Sequence, residues 1–105
     1  MDRKDLISLL KPVIPTVLYG WYCEGNEPKR PYGVLNYLYP DFVYADNIPI
    51  IEFHNWQLDF IADRKSESIE KQIEQLFRDN QIIFNKREDS SVGNYVRVIY
   101  SITTQ

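Results

Sequence analysis

The sequence predicts a single α+β domain: a mainly antiparallel sheet of about five strands with two helices packed on one face, in the order α-β-β-β-α-β-β. Three observations predict it. From Asn55 onward the chain alternates strictly, with Trp56, Leu58 and Phe60 facing one way and Asn55, Gln57 and Asp59 the other. A period of two with one polar face marks an antiparallel strand with one side toward solvent or a partner. In residues 66–79, Ile69, Ile73, Leu76 and Phe77 form the stripe of a helix that lies on a sheet. Residues 82–88 and 95–104 are strand-like runs around the turn-rich stretch DSSVGN, which predicts a terminal hairpin.

In chain order, residues 2–11 read as a short helix with Leu6, Leu9 and Leu10 on one face. Asp2 can cap its start, and Pro12 ends it by pushing the preceding residue out of helical geometry. Residues 15–22 are β-branched and aromatic and read as a strand, with Gly20 marking a bulge or a close backbone approach. Residues 23–31 are turn chemistry. A second strand is expected over about 32–39, closed by Pro40 and Asp41, and a third over 50–62. Ser66 or Asp63 can cap the second helix, and Glu67–Lys71 and Glu74–Arg78 are i,i+4 pairs with the acid first, the better orientation. In the last strand Val96, Val98, Tyr100 and Ile102 share a face.

The totals exclude several classes. A chain of 105 residues with 44% hydrophobic and 26% charged residues has the make-up of one globular domain. The formal charge of −3 argues against gripping a phosphate backbone. The pairs Lys29–Arg30, Arg64–Lys65 and Lys86–Arg87 each have acids nearby and read as solvated charge at turns or element ends. The lone Cys23 permits no internal disulfide, and its neighbour Glu24 disfavours a reactive thiolate. Residues 1–11 are too charged for a secretory leader, and no run approaches the ~20 apolar residues that span a bilayer. The expectation is a protein that is soluble and intracellular when made, with no membrane partner.

Little points to catalysis. The only histidine is His54; it shares a strand face with Glu52, an acid–base pair in principle, but the sequence places no third group beside them. No P-loop, dinucleotide-binding glycine motif or metal-ligand spacing occurs, so no cofactor and no metal is expected. The stretch RPYGVLNYLYPDFVYAD, residues 30–46, holds Tyr32, Tyr37, Tyr39, Phe42 and Tyr44. Base stacking would need a positive groove, and here Lys29 and Arg30 are offset by Asp41 and Asp46. Tyr32, Val34 and Leu38 share one parity, and Leu35, Tyr37 and Tyr39 the other, so both faces of this strand are apolar. One can lie on the helices; the other needs a cover, and large apolar patches mark interaction sites. Trp21, Tyr22, Tyr37, Tyr39 and Phe42 are the interface candidates.

Five segments resemble, in order and over about Ile14 to Thr103, the tail terminator or tail completion proteins of long-tailed bacteriophages and prophages of Gram-positive bacteria. They are IPTVLYGWY, EPKRPYGVLNYL, YADNIPI, WQLDFIADRKSESIEKQIEQLF and FNKREDSSVGNYVRVIYSI. The turn EDSSVGN departs from the glutamate-rich turn common in that family. The resemblance implies a non-enzymatic homo-oligomer, usually a hexameric ring, at the head-proximal end of the virion tail. It would stop tail-tube growth, contact the tail tube protein and the head completion or connector protein, and pass DNA only through its lumen. Asp41, Asp46, Glu88 and Asp89, on expected loops, are the candidate lumen-facing acids. The alternatives are a head-closure, connector or other minor tail subunit, a small cytosolic enzyme using Glu52 and His54, and an RNA-binding module using the tyrosines.

Overall fold

A computed structural model describes residues 2–20, 28–92 and 95–105, with backbone alone for 88–92. Its elements are α1 (Arg3–Leu10), β1 (Val17–Tyr19), β2 (Tyr32–Ala45), β3 (Ile48–Ala62), α2 (Glu67–Asp79), β4 (Ile83–Val92) and β5 (Tyr95–Thr104). The strands form one sheet in the order β1-β2-β3-β5-β4. Every neighbouring pair is antiparallel except β1–β2, which is parallel. This is the expected α+β class and element order.

Each helix is capped by its own sequence. Asp2 accepts from the Asp5 amide while Asp5 reaches back to the Asp2 amide, a capping box. Ser66, rather than Asp63, caps α2 by accepting from the Ile69 amide. The core joins both helices to one sheet face: Leu6, Leu10 and Ile14 from the first helical segment, Ile73 and Phe77 from α2, and Leu35, Trp56, Leu58, Phe60, Val98, Tyr100 and Ile102 from the strands. A Cβ on Gly33 would sit 3.4 Å from Leu58 and 3.5 Å from Ile14, so glycine there lets the segment after α1 lie close on the sheet.

The opposite face is not simply solvated. Asp59, expected on the open side of β3, is fully buried. Arg97 on β5 donates from Nε (3.1 Å) and Nη2 (2.6 Å) to Asp59 Oδ2, and Gln57 Nε2 donates to Oδ1 at 2.9 Å. Tyr32, Val34 and Ile61 make a small second cluster on this face, with Tyr95 against it.

Several expected boundaries shift. β2 does not close at Pro40 but runs on to Ala45, and β3 begins at Ile48. A proline lacks only the amide donor, and this length of β2 lies beyond β1, which pairs with residues 33–35 alone. β4 likewise runs through Glu88 and Asp89 to Val92, where a turn was expected from residue 89. Gly20 makes neither a bulge nor a close approach. It follows β1 with φ +78°, and a Cβ there would meet nothing within 4 Å, so glycine serves the left-handed backbone.

The basic pairs also differ from solvated loop charge. Lys86 lies within β4, and its Nζ donates to Glu70 Oε1 at 2.6 Å, while Lys65 donates to the same oxygen at 3.1 Å. Arg30 pairs with Asp63 at 3.1 Å. Glu74, besides its place on α2, lies 3.7 Å from Lys86 and accepts from the Tyr100 hydroxyl at 3.4 Å. These bonds clamp α2 to β4 and β5. Burial pushes the Glu70 carboxyl up, but the hydrogen bonds from Lys86 and Lys65 outweigh it and hold it below the usual carboxylate range. Lys86 is held above the usual lysine range by its bond to Glu70, against its own burial. Burial, with Glu74 and Glu70 nearby, raises the Tyr100 hydroxyl.

The signs give a prediction. A depressed folded carboxyl contributes stability that is present above the unfolded carboxylate range and lost as pH falls through the folded value. Urea unfolding across pH should therefore show a shallower acid limb for Glu70→Gln than for the unmodified chain. An unchanged acid limb would mean that Glu70 carries none of the linkage. Lys86 acts oppositely: its contribution is lost only as pH rises through its elevated value.

Candidate functional site

Beyond the sheet stands an arm. β3 pairs with β5 only from His54 onward, and β2 pairs with β1 only at residues 33–35. Residues from Tyr39 to Ala45 and from Ile48 to Phe53 therefore form a ribbon of two strands, with no third strand beside it among the described residues. The ribbon turns at Asp46 and Asn47, both with positive φ (51° and 64°), as a two-residue hairpin of the primed kind requires. Asp and Asn tolerate this left-handed backbone because their short polar side chains bond locally. The molecule is elongated, 52 Å along its long axis against 29 and 23 Å.

A bulge sets which side chains each face presents. β2 slips by one residue between Tyr37 and Tyr39, leaving Leu38 unpaired. Cross-strand partners share a face, so Tyr37 lies with Trp56 on the helix side, while Tyr39 lies with Asn55 on the opposite side. Tyr37 and Tyr39 thus do not share a face, contrary to their parity. Past the bulge, Phe42 sits opposite Glu52 on the helix side, and its ring lies 6.0 Å from that of Tyr44. Asp41 and Val43 take the other side with Phe53 and Ile51.

The arm is apolar and uncovered. Tyr39, Tyr44, Ile48 and Ile50 are each more than half exposed, at 55, 59, 64 and 58%. Phe42 and Val43 are exposed as well. A two-stranded hairpin is marginal in water by itself, and apolar residues left out on it lose the stabilisation that burial would give, about 1.5–3 kcal/mol per large side chain. The arm edges are blunted against strand pairing: Pro40 lies on β2 and Pro49 on β3, where a missing amide breaks any added ladder.

At the root, the Tyr37 hydroxyl lies 3.0 Å from His54 Nδ1, and His54 Nε2 lies 3.7 Å from Glu52 Oε1. The Tyr37 ring also packs edge-on against Trp56, 4.9 Å between centroids. Glu52 and His54 do share a face, and Tyr37 is the third group that sequence spacing did not supply. The Tyr37–His54 bond ties the arm root to the core through Trp56, whose Nε1 donates to Thr104 Oγ1 at 3.1 Å. A hollow of 230 Å³ here is lined by Asp2, Tyr37, His54 and Trp56. Among the described residues no cluster of His, Cys, Asp and Glu has metal-binding geometry, and no helix is long and apolar enough to cross a membrane.

The other candidates divide. Tyr37, Tyr39 and Phe42 are exposed at or on the arm. Trp21 and Tyr22 lie outside the described residues, as does Cys23. Asp46 is at the tip turn, but Asp41 lies in a strand, not a loop, where it accepts from Asn55 Nδ2 at 2.8 Å. Glu88 and Asp89 are also in a strand, on β4, opposite Ile99 and Val98. Two strands separate β4 from β2, so the four acids do not form one group. Sequence reasoning did not name Val43, Tyr44, Ile48 or Ile50 as interface residues, although Tyr44 lies in the aromatic stretch it singled out, because it closed the second strand at Pro40 and opened the third at residue 50. The signal present was Asp46–Asn47 between two β-prone runs.

No protein-family model matches this chain, and no curated protein matches it significantly.

Proposed function

We propose that this protein is a non-enzymatic structural subunit that assembles through its arm, and that it is a tail terminator of a long-tailed phage. In that role copies of the chain close a ring at the head-proximal end of the virion tail, stop tube growth and present the surface that the head completion protein meets. DNA crosses the ring without being bound. The arm is the observation that carries the reading. It is two strands wide, apolar on both faces, and built away from the core, which suits a contact made after the subunit has folded. The five-segment resemblance selects the terminator within the class of assembly proteins.

Electron microscopy of particles from the parent phage lacking this gene tests it. Overlong or ragged tails beside separate, filled heads are expected. Tails of normal length beside emptied heads would transfer the protein to head closure, and normal infectious particles would overturn the assembly role.

A further inference from the structure

We infer that the helix-side face of the arm seats on the groove beside β1 of a second copy of this chain. Phe42 and Tyr44 would lie against Tyr19, and Glu52 and Asp46 would face Arg3 and Lys4. The inference rests on the assembly reading above and names the two surfaces that meet.

Charge favours this occupant. The arm carries Asp41, Asp46 and Glu52 and no lysine or arginine. Of the chain's 15 acids and 12 Lys and Arg, those outside the arm balance at twelve each, so the net charge of −3 is the arm's own. The groove has the opposite character. Its volume is 340 Å³, and Asp2, Arg3, Lys4 and Tyr19 line it. Asp2 keeps its negative charge as the cap of α1, but Arg3 and Lys4 outnumber it and leave the lining net positive. Tyr19 is 45% exposed, with the Arg3 guanidinium 4.6 Å over its ring. An aromatic pair flanked by an acid thus faces an aromatic flanked by two bases. Stacked aromatics and charge pairs at a contact rim give such a docking orientation and register.

Geometry makes the contact intermolecular. Asp2 lines both this groove and the hollow at the arm root, so the groove lies near the root. From Tyr37 to Ala45 a strand extends roughly 25 Å at ~3.3 Å per residue. The two strands run together away from the root over that distance, so the tip does not meet its own root, but a neighbour's arm can reach it. Arm and groove are different surfaces, so the contact is head-to-tail and can propagate around a ring. Pro40 and Pro49 oppose the competing mode, strand addition along the arm.

The test is sedimentation velocity of the full chain, at low and high salt, with four proteins. They are the unmodified chain, the groove variant Arg3→Glu with Lys4→Glu, the arm variant Glu52→Lys with Asp46→Asn, and the combination. Acids in the first turn suit α1, and Asn tolerates the turn at residue 46, so the variants should fold; circular dichroism checks this. Each separate variant should lose about tenfold or more in association constant, and the combination should regain most of it. Association unchanged by either variant would overturn the arm–groove contact while leaving the assembly role standing. Absence of self-association in the unmodified chain would overturn a second copy as the occupant. In either case the particle images decide the assembly role by themselves.

Discussion

Arg97→Met should destabilise the fold by about 3 kcal/mol, because it removes the cation from a buried carboxylate. Asp59 is fully buried, and Arg97 supplies both bonds to its Oδ2. Gln57 would remain on Oδ1 alone. A loss of this size lowers the thermal midpoint of a domain this small by roughly 12–20 °C. Breaking one partner costs far more than removing both, so Asp59→Leu combined with Arg97→Met should recover most of the loss. Thermal unfolding of the two single variants and the double variant checks this as a cycle. If Arg97→Met melted within a degree or two of the unmodified chain, the pair would be carrying little and Asp59 would be held by its other surroundings.

Removal of the arm should do the reverse: little to folding, everything to assembly. Replacing residues 41–53 by Asn-Gly joins Pro40 to His54, which already face each other across the ribbon. None of the removed residues is in the buried core. The bond between Asn55 and Asp41 is lost, and it is an exposed one worth about 1 kcal/mol at most. The thermal midpoint should stay within about 5 °C, and solubility should rise as the exposed aromatics go. On the proposed terminator role, phage carrying the shortened chain should resemble phage lacking the gene. A shortened chain that cannot fold would place the arm in the folding unit. A shortened chain that folds and still supports normal tails would remove the arm from the function.

The two predictions mark where sequence reading succeeds and stops. Patterns with a local cause were legible. The stripe of Ile69, Ile73 and Phe77 faces the sheet because helical period alone fixes it, and Ile73 and Phe77 are fully buried. Trp56, Leu58 and Phe60 enter the core because a strand's period of two leaves no other choice. Asp2 and the end of α1 before Pro12 follow from chemistry within a single turn. What misled was a local rule applied where its penalty does not arise. Pro40 ends a strand that needs its amide, but β2 at Pro40 has no neighbour on that edge among the described residues.

Class, element order, helix caps and the faces of β3 and α2 follow from the chain's local patterns, since each is set by neighbours within a few residues. Contacts between distant segments account for the rest. Asp59 meets Arg97 across 38 residues, and Glu70 meets Lys86 across 16, so no window of sequence shows that these charges are paired. The bulge at Leu38 turned Tyr39 away from Tyr37, which only strand register can reveal. The arm exists because, among the described residues, β2 and β3 outlast both β1 and β5. Relative strand length is a property of the assembled sheet, and it is what leaves Phe42, Tyr44 and Ile48 uncovered.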